Sequence, residues 1–230
     1  MHLFESLIEP AAALTVIPEA AARHSYGGLP GLPVGTDWPA YGGTPMTLLA
    51  RLDCADLAAL LPETWTLPAS GTLLFFHEDT FTAAPPAPGA PDGPGHDDGC
   101  RVLHVPAGLP PRPAPAGVQV IPPLPLAANR VGSVPPYDAP ALRDAFTTDP
   151  VAAMNARDLA EDAAGRPPRH QVLGWQRDAF LHLPGLRPLL QLEAEPGTAW
   201  GEVVNVSFWL PEPDLAVGRL TGARRYLEVA

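Results

Sequence analysis

Apolar residues along this chain fall into short runs, many with a period of two, separated by segments dense in proline and glycine. In Thr47–Asp53 (TLLARLD), Leu48, Ala50 and Leu52 share one face while Leu49 and Arg51 share the other, which predicts a strand. Gly71–His77 (GTLLFFH) is apolar on both faces, the pattern of a strand covered on both sides. Strand character recurs at Leu14–Ile17, Cys100–Val105, Gly117–Ile121, His170–Trp175, Pro188–Ala194, Glu202–Leu210 and Arg225–Val229.

Helical spacing is rarer. Phe4, Leu7 and Ile8 mark a short turn before Pro10, and Leu57, Leu60 and Leu61 follow a cap at Asp53. Asp138 is expected to cap a helix carrying Leu142 and Phe146, with Tyr137 stapled to Leu142. Asp149-Pro150 opens a further helix that Gly165 and Pro167 close, and Pro211–Leu215 reads as a helical turn.

Strands outnumber helices without alternating regularly with them. The expected fold is therefore α+β, a mixed, largely antiparallel sheet with a few short helices and long loops, over one domain spanning 1–230. Residues 84–98 read as a mobile Pro/Gly-rich insertion and 106–136 as proline-rich connections. TLLARLD before GTLLFFHED echoes PLLQLEAE before Asn205–Asp214, an echo that fits either an internal duplication or chance.

Charge narrows the choice of partners. The chain has 14 arginines, no lysine and 25 acidic residues, for a net charge of -11. Nucleic acids and anionic membranes need clustered cations, so neither is expected as a partner. The lack of lysine removes Schiff-base chemistry and a Walker-type phosphate clamp. Met1–Ile17 is not read as a signal peptide, because it has no cationic start and Glu5, Glu9 and Pro10 interrupt its apolar run. With only Cys54 and Cys100, a reducing, cytoplasmic setting is the expectation. Asn205-Val206-Ser207 matches a glycosylation acceptor but falls inside an expected strand, and is discounted.

Several residues are candidates for chemistry. Ser25–Pro39 resembles a glycine-rich phosphate loop, but its prolines delete the N–H groups such a loop uses, which leaves a surface loop anchored by Trp38. Imidazole, thiolate and carboxylate at His77, Asp79, Cys100 and His104, with His96, Asp97 and Asp98, would suit zinc, yet the tight ligand spacing of zinc sites is absent. No metal and no cofactor is therefore expected. His170 and Gln171 could orient a ligand or supply a base, or could satisfy backbone groups beside a turn. Cys54 lies at a helix start, but the neighbouring acids Asp53 and Asp56 oppose thiolate formation. Trp38 and Trp200 could line a pocket, and Arg51, interrupting an apolar strand, calls for a carboxylate such as Glu193.

Read in order, Ser25-x-Gly-Gly-x-Pro-x-Leu-Pro, Trp38-Pro39, LLARLD-Cys-Ala-Asp-Leu, GTLLFF, His170-Gln171-Val-Leu-Gly174, LLQLE, Trp200-Gly201 and Ser207-Phe-Trp-Leu resemble the YwqG-like family of bacterial proteins. Glu202 stands where that family has Asp, and Trp175 replaces a common aromatic-proline pair. The resemblance implies an α+β fold and supplies no catalytic residue. The leading expectation is a binding or protein-interaction module. A metal- or histidine-dependent hydrolase and a small-ligand carrier are the alternatives.

Overall fold

The computed structural model describes residues 3–18, 22–78, 99–178, 181–196 and 203–229. The expected insertion at 84–98, and with it Asp79, His96, Asp97, Asp98, Trp200 and Glu202, lies outside the described residues.

The first half of the chain lays down α1 (Leu3–Leu7), β1 (Glu9–Val16), β2 (His24–Tyr26) and a small hairpin of β3 (Ala40–Tyr41) and β4 (Thr44–Pro45). It continues with β5 (Thr47–Asp53), α2 (Cys54–Leu60), β6 (Thr72–His77) and β7 (Cys100–Val105). The second half follows the same strand plan. Its elements are β8 (Leu124–Ser133), α3 (Pro140–Thr148), α4 (Pro150–Ala164), β9 (His170–Val172), β10 (Leu186–Glu193), β11 (Val203–Pro211), α5 (Glu212–Ala216) and β12 (Arg224–Val229).

Ten strands form one sheet in the order β12-β11-β10-β9-β1-β8-β2-β5-β6-β7, and every pairing in it is antiparallel. The sheet curls until its two end strands meet. Cys100 Sγ on β7 donates to the Ala223 carbonyl at 3.4 Å, and buried Arg225 on β12 donates to the Glu78 carbonyl at 2.8 Å. The result is a nearly closed barrel with a side-chain-filled interior that includes Leu14, Tyr26, Leu52, Phe75, Leu126, Leu190 and Phe208.

The strand order is palindromic, and the register shows an approximate two-fold axis. Thr15 of β1 faces Ala127 of β8 at its centre. Each half contributes its first strand to the other: β1 pairs with β9, and β8 pairs with β2. Equivalent residues follow from the ladders. Tyr26 on β2 pairs with Ala50 on β5 as Val172 on β9 pairs with Leu190 on β10. Phe75 and Phe208 are also equivalent, and their rings touch edge-on across the barrel with centroids 5.1 Å apart.

Outside the barrel, Leu32, Met46, Leu48, Leu74 and Phe76 form a second apolar layer under the loop that follows β2, and Trp38 joins it. The α3–α4 hairpin has no counterpart among the described residues between β1 and β2. It packs with α1 through Leu7, Leu142, Ala156 and Ala160. Arg157, almost fully buried there, lies 4.0 Å over the Tyr137 ring and donates to the Pro135 carbonyl.

Three expectations need correction. Residues 124–133 are a ten-residue strand at the centre of the sheet, not a proline-rich connection: its own prolines lie at its start, and beyond Pro125 β8 contains none. Gly117–Ile121 forms no strand. Asp138 does not cap α3, whose cap position is Ala139 with Pro140 next, because proline at the first helical position shifts the start. The caps at Asp53 and Asp149 are as expected, accepting from the N–H groups of Asp56 and Ala152.

Candidate functional site

His170, the foremost candidate, proves to be one of a matched pair. It is 1% exposed, and its ring lies 5.7 Å from that of Tyr26 inside the barrel. The Glu193 N–H donates to His170 Nδ1 at 3.1 Å, while Nε2 lies 2.9 Å from Glu195 Oε1. His24 repeats this in the other half. The Asp53 N–H donates to its Nδ1 at 3.1 Å, and Nε2 lies 2.8 Å from Asp56 Oδ2. An Nδ1 that accepts a backbone N–H leaves the proton on Nε2, so both rings sit as neutral donors to a carboxylate. Burial, outweighing the attraction of Glu195, lowers the pKa of His170. With both nitrogens engaged and almost no exposure, His170 bonds strand to strand and presents no nitrogen to a substrate.

The match extends beyond the histidines. Gln171 donates to the Leu173 carbonyl as Ser25 donates to the Gly27 carbonyl. Gly27 and Gly28 (φ +64° and +87°) correspond to Leu173 and Gly174 (φ +57° and +69°). The Gly27 and Leu173 N–H groups donate to the Leu49 and Leu189 carbonyls, again equivalent residues. Each half thus carries His-x-Φ-x-Gly, Φ being an apolar residue, on a short strand with a tight turn after it.

The remaining candidates separate. Trp38 donates to the Met46 carbonyl and packs edge-on to Phe76, so it ties down its loop. Arg51 pairs with Ser25 and Leu74 in the sheet, whereas Glu193, its expected partner, bridges Arg169 and Arg177. Cys54 is fully buried, and burial followed by the Asp53 charge pushes its thiol up to about 11. Cys100 bonds across the barrel seam, while His104, exposed, binds the Ser70 carbonyl at 2.7 Å. His77 lies wholly inside. Among the described residues no three His, Cys, Asp or Glu side chains are grouped to hold a metal.

Burial, and then the nearby Arg225 charge, holds the His77 imidazole well below its ordinary pKa of 6.5. The unfolded chain takes up this proton below about pH 6.5 and the folded chain does not. Stability should therefore fall as pH drops from 6.5, by up to about 1.4 kcal/mol per pH unit for this one group. Urea melts at pH 7, 6 and 5 check this. A His77→Gln variant should lose that part of the slope, and an unchanged slope would show that His77 is protonated when folded.

A different site emerges on the outer face of the second half. Glu193, Asn205 and Glu228 are direct neighbours across β10, β11 and β12. With Arg177, Asp178 and Val204 they line a cleft of about 370 Å³, within the range of small-molecule sites. Arg177 and Arg169 both pair with Glu193, and Arg169 also reaches Glu195 at 3.0 Å. Asn205 is only 4% exposed, and its side chain makes no hydrogen bond among the described residues. The sequence shows Asn205 only as a discounted glycosylation match; what could have flagged it is a polar residue at a covered strand position.

No helix among the described residues is long and apolar enough to cross a membrane. Residues 25–224 match the family described as "Domain of unknown function (DUF1963)". No curated protein matches the chain.

Proposed function

We propose, from the premise that the chain belongs to the DUF1963 family, that it works as a binding module whose ligand sits in the Glu193–Asn205–Glu228 cleft. One observation carries this reading: Asn205 is a buried polar side chain, without a protein partner among the described residues, on the wall of a cleft large enough for a small ligand. An amide on the cleft wall with no protein partner among the described residues is open to a ligand that can bond it. The likeness to the YwqG-like proteins, and the treatment of residues 1–230 as one such unit, belong to this same proposal.

Asn205→Val tests it. Valine suits a strand and removes only the amide that lines the cleft, so stability should change little. Ligand carried through purification, read by native mass spectrometry, should disappear in the variant. A clear loss of stability would make Asn205 structural and overturn the assignment.

A second reading, a docking surface for a protein partner, draws on α4. Its Ala153, Ala156, Arg157 and Ala160 are buried, while Val151, Met154 and Leu159 are exposed beside Asp158 and Asp162. Partner capture that survives Asn205→Val would favour that surface over the cleft. A hydrolase centred on His170 has no such support, since both nitrogens of that ring are already bonded.

A further inference from the structure

We infer that the cleft selects an organic cation, an ammonium or guanidinium group on a short alkyl stem, with Glu228 as its counter-charge and Asn205 fixing its orientation. This rests on the cleft being a binding site at all, and adds the chemical class of what it binds.

Charge carries the argument. Four ionisable groups line the cleft, one arginine against three carboxylates. Arg177 is held by Glu193, so its charge is spent inside the site. Arg169 pairs with both Glu193 and Glu195, so these two arginines and two carboxylates balance one another. Glu228 makes no ion pair among the described residues. The Tyr226 phenol, on the same strand, is raised first by burial and then by the charges of Asp178 and Glu228, so the negative field persists at that wall. An anion would meet this field with no unpaired cation among the described lining residues.

The remaining lining sets the shape of the ligand. The carboxylates are not grouped as metal ligands, so the field suits a diffuse organic charge better than a compact ion. Val204, partly exposed at the wall, offers an apolar surface for a methylene stem. The Asn205 amide supplies both an acceptor for an N–H and a donor for a second polar group.

Isothermal titration with three probes decides the matter: agmatine, an arginine blocked at both termini, and succinate. At least one cation should bind and succinate should not. Glu228→Gln should weaken the cation about tenfold or more, the loss expected for one charge-assisted contact. Should that variant fail to fold, Glu228→Asp, which draws the carboxylate back by one methylene, serves in its place and should weaken the cation in the same direction. Agmatine bound without the blocked arginine points to a free metabolite. The reverse points to an arginine side chain on a peptide; either outcome upholds the cation. Succinate binding lost in Asn205→Val would keep the cleft as a site but overturn its class. Binding of cations undiminished by Glu228→Gln also overturns the class, and no heat with any probe overturns both class and cleft.

Discussion

Phe208→Ala is expected to cost about 3–5 kcal/mol, the range for deleting a fully buried phenylalanine. Phe208 has no exposure and meets Phe75 edge-on at an interplanar angle of 72°. The two rings come from equivalent strands of the two halves, so the contact spans the barrel interior and ties the halves together. A typical domain is stable by only 5–15 kcal/mol, so the loss should lower the denaturation midpoint strongly in one cooperative transition. A double-mutant cycle with Phe75→Ala should return a coupling of about 0.5–1.5 kcal/mol. Strict additivity of the two changes, or two separate transitions, would mean the halves do not close on a common core.

Gly174→Ala should destabilise by about 2–5 kcal/mol, through two causes that add. A left-handed backbone costs an L-residue about 1–2 kcal/mol, and Gly174 has φ +69°. A Cβ there would also sit 2.3 Å from Ser133 Oγ and 2.8 Å from Ala11 Cβ. Ser133 cannot readily yield, because its hydroxyl accepts the Trp175 N–H at 2.9 Å and donates to the Glu9 carbonyl at 3.0 Å. Overpacking of this kind costs a further 1–3 kcal/mol or so. Gly185→Ala is the control: φ is +72°, but no atom lies within 4 Å of the new Cβ, so only the backbone part should appear. Equal losses in the two variants, measured by urea denaturation, would rule out the Ser133 clash as a cause.

Much of the barrel was legible because its strands carry their own periodic pattern. TLLARLD, GTLLFFH and the runs near 189–193 and 203–210 declare covered strands whatever surrounds them. The central strand at 124–133 did not, since Pro122, Pro123 and Pro125 mask its start and Asn129 and Arg130 break its apolar alternation. The echo between TLLARLD and PLLQLEAE points to equivalent strands, as the register shows. The stronger repeat, His24-Ser-Tyr-Gly-Gly against His170-Gln-Val-Leu-Gly, shares only its histidine and last glycine, too few identities to stand out in so short a segment. The cleft was the least legible feature. Asp178, Asn205 and Glu228 come from separate segments, and only the register of three strands and the covering loop brings them to one wall.

The exchange of leading strands makes the two halves mutually dependent. A fragment ending before residue 124 would hold β1, whose neighbours β8 and β9 both lie in the missing piece, and its β2 would lose its neighbour on one flank. Neither fragment could satisfy its own ladder, so cleaved pieces would be interlocked and would reassemble by complementation. Two copies of one half could close the same gap in trans as a symmetric homodimer. The covalent link between the halves therefore does what subunit association does elsewhere: it makes pairing independent of concentration and frees each half to diverge. That freedom is visible in the α3–α4 hairpin and the acidic cleft, both of which belong to the second half among the described residues.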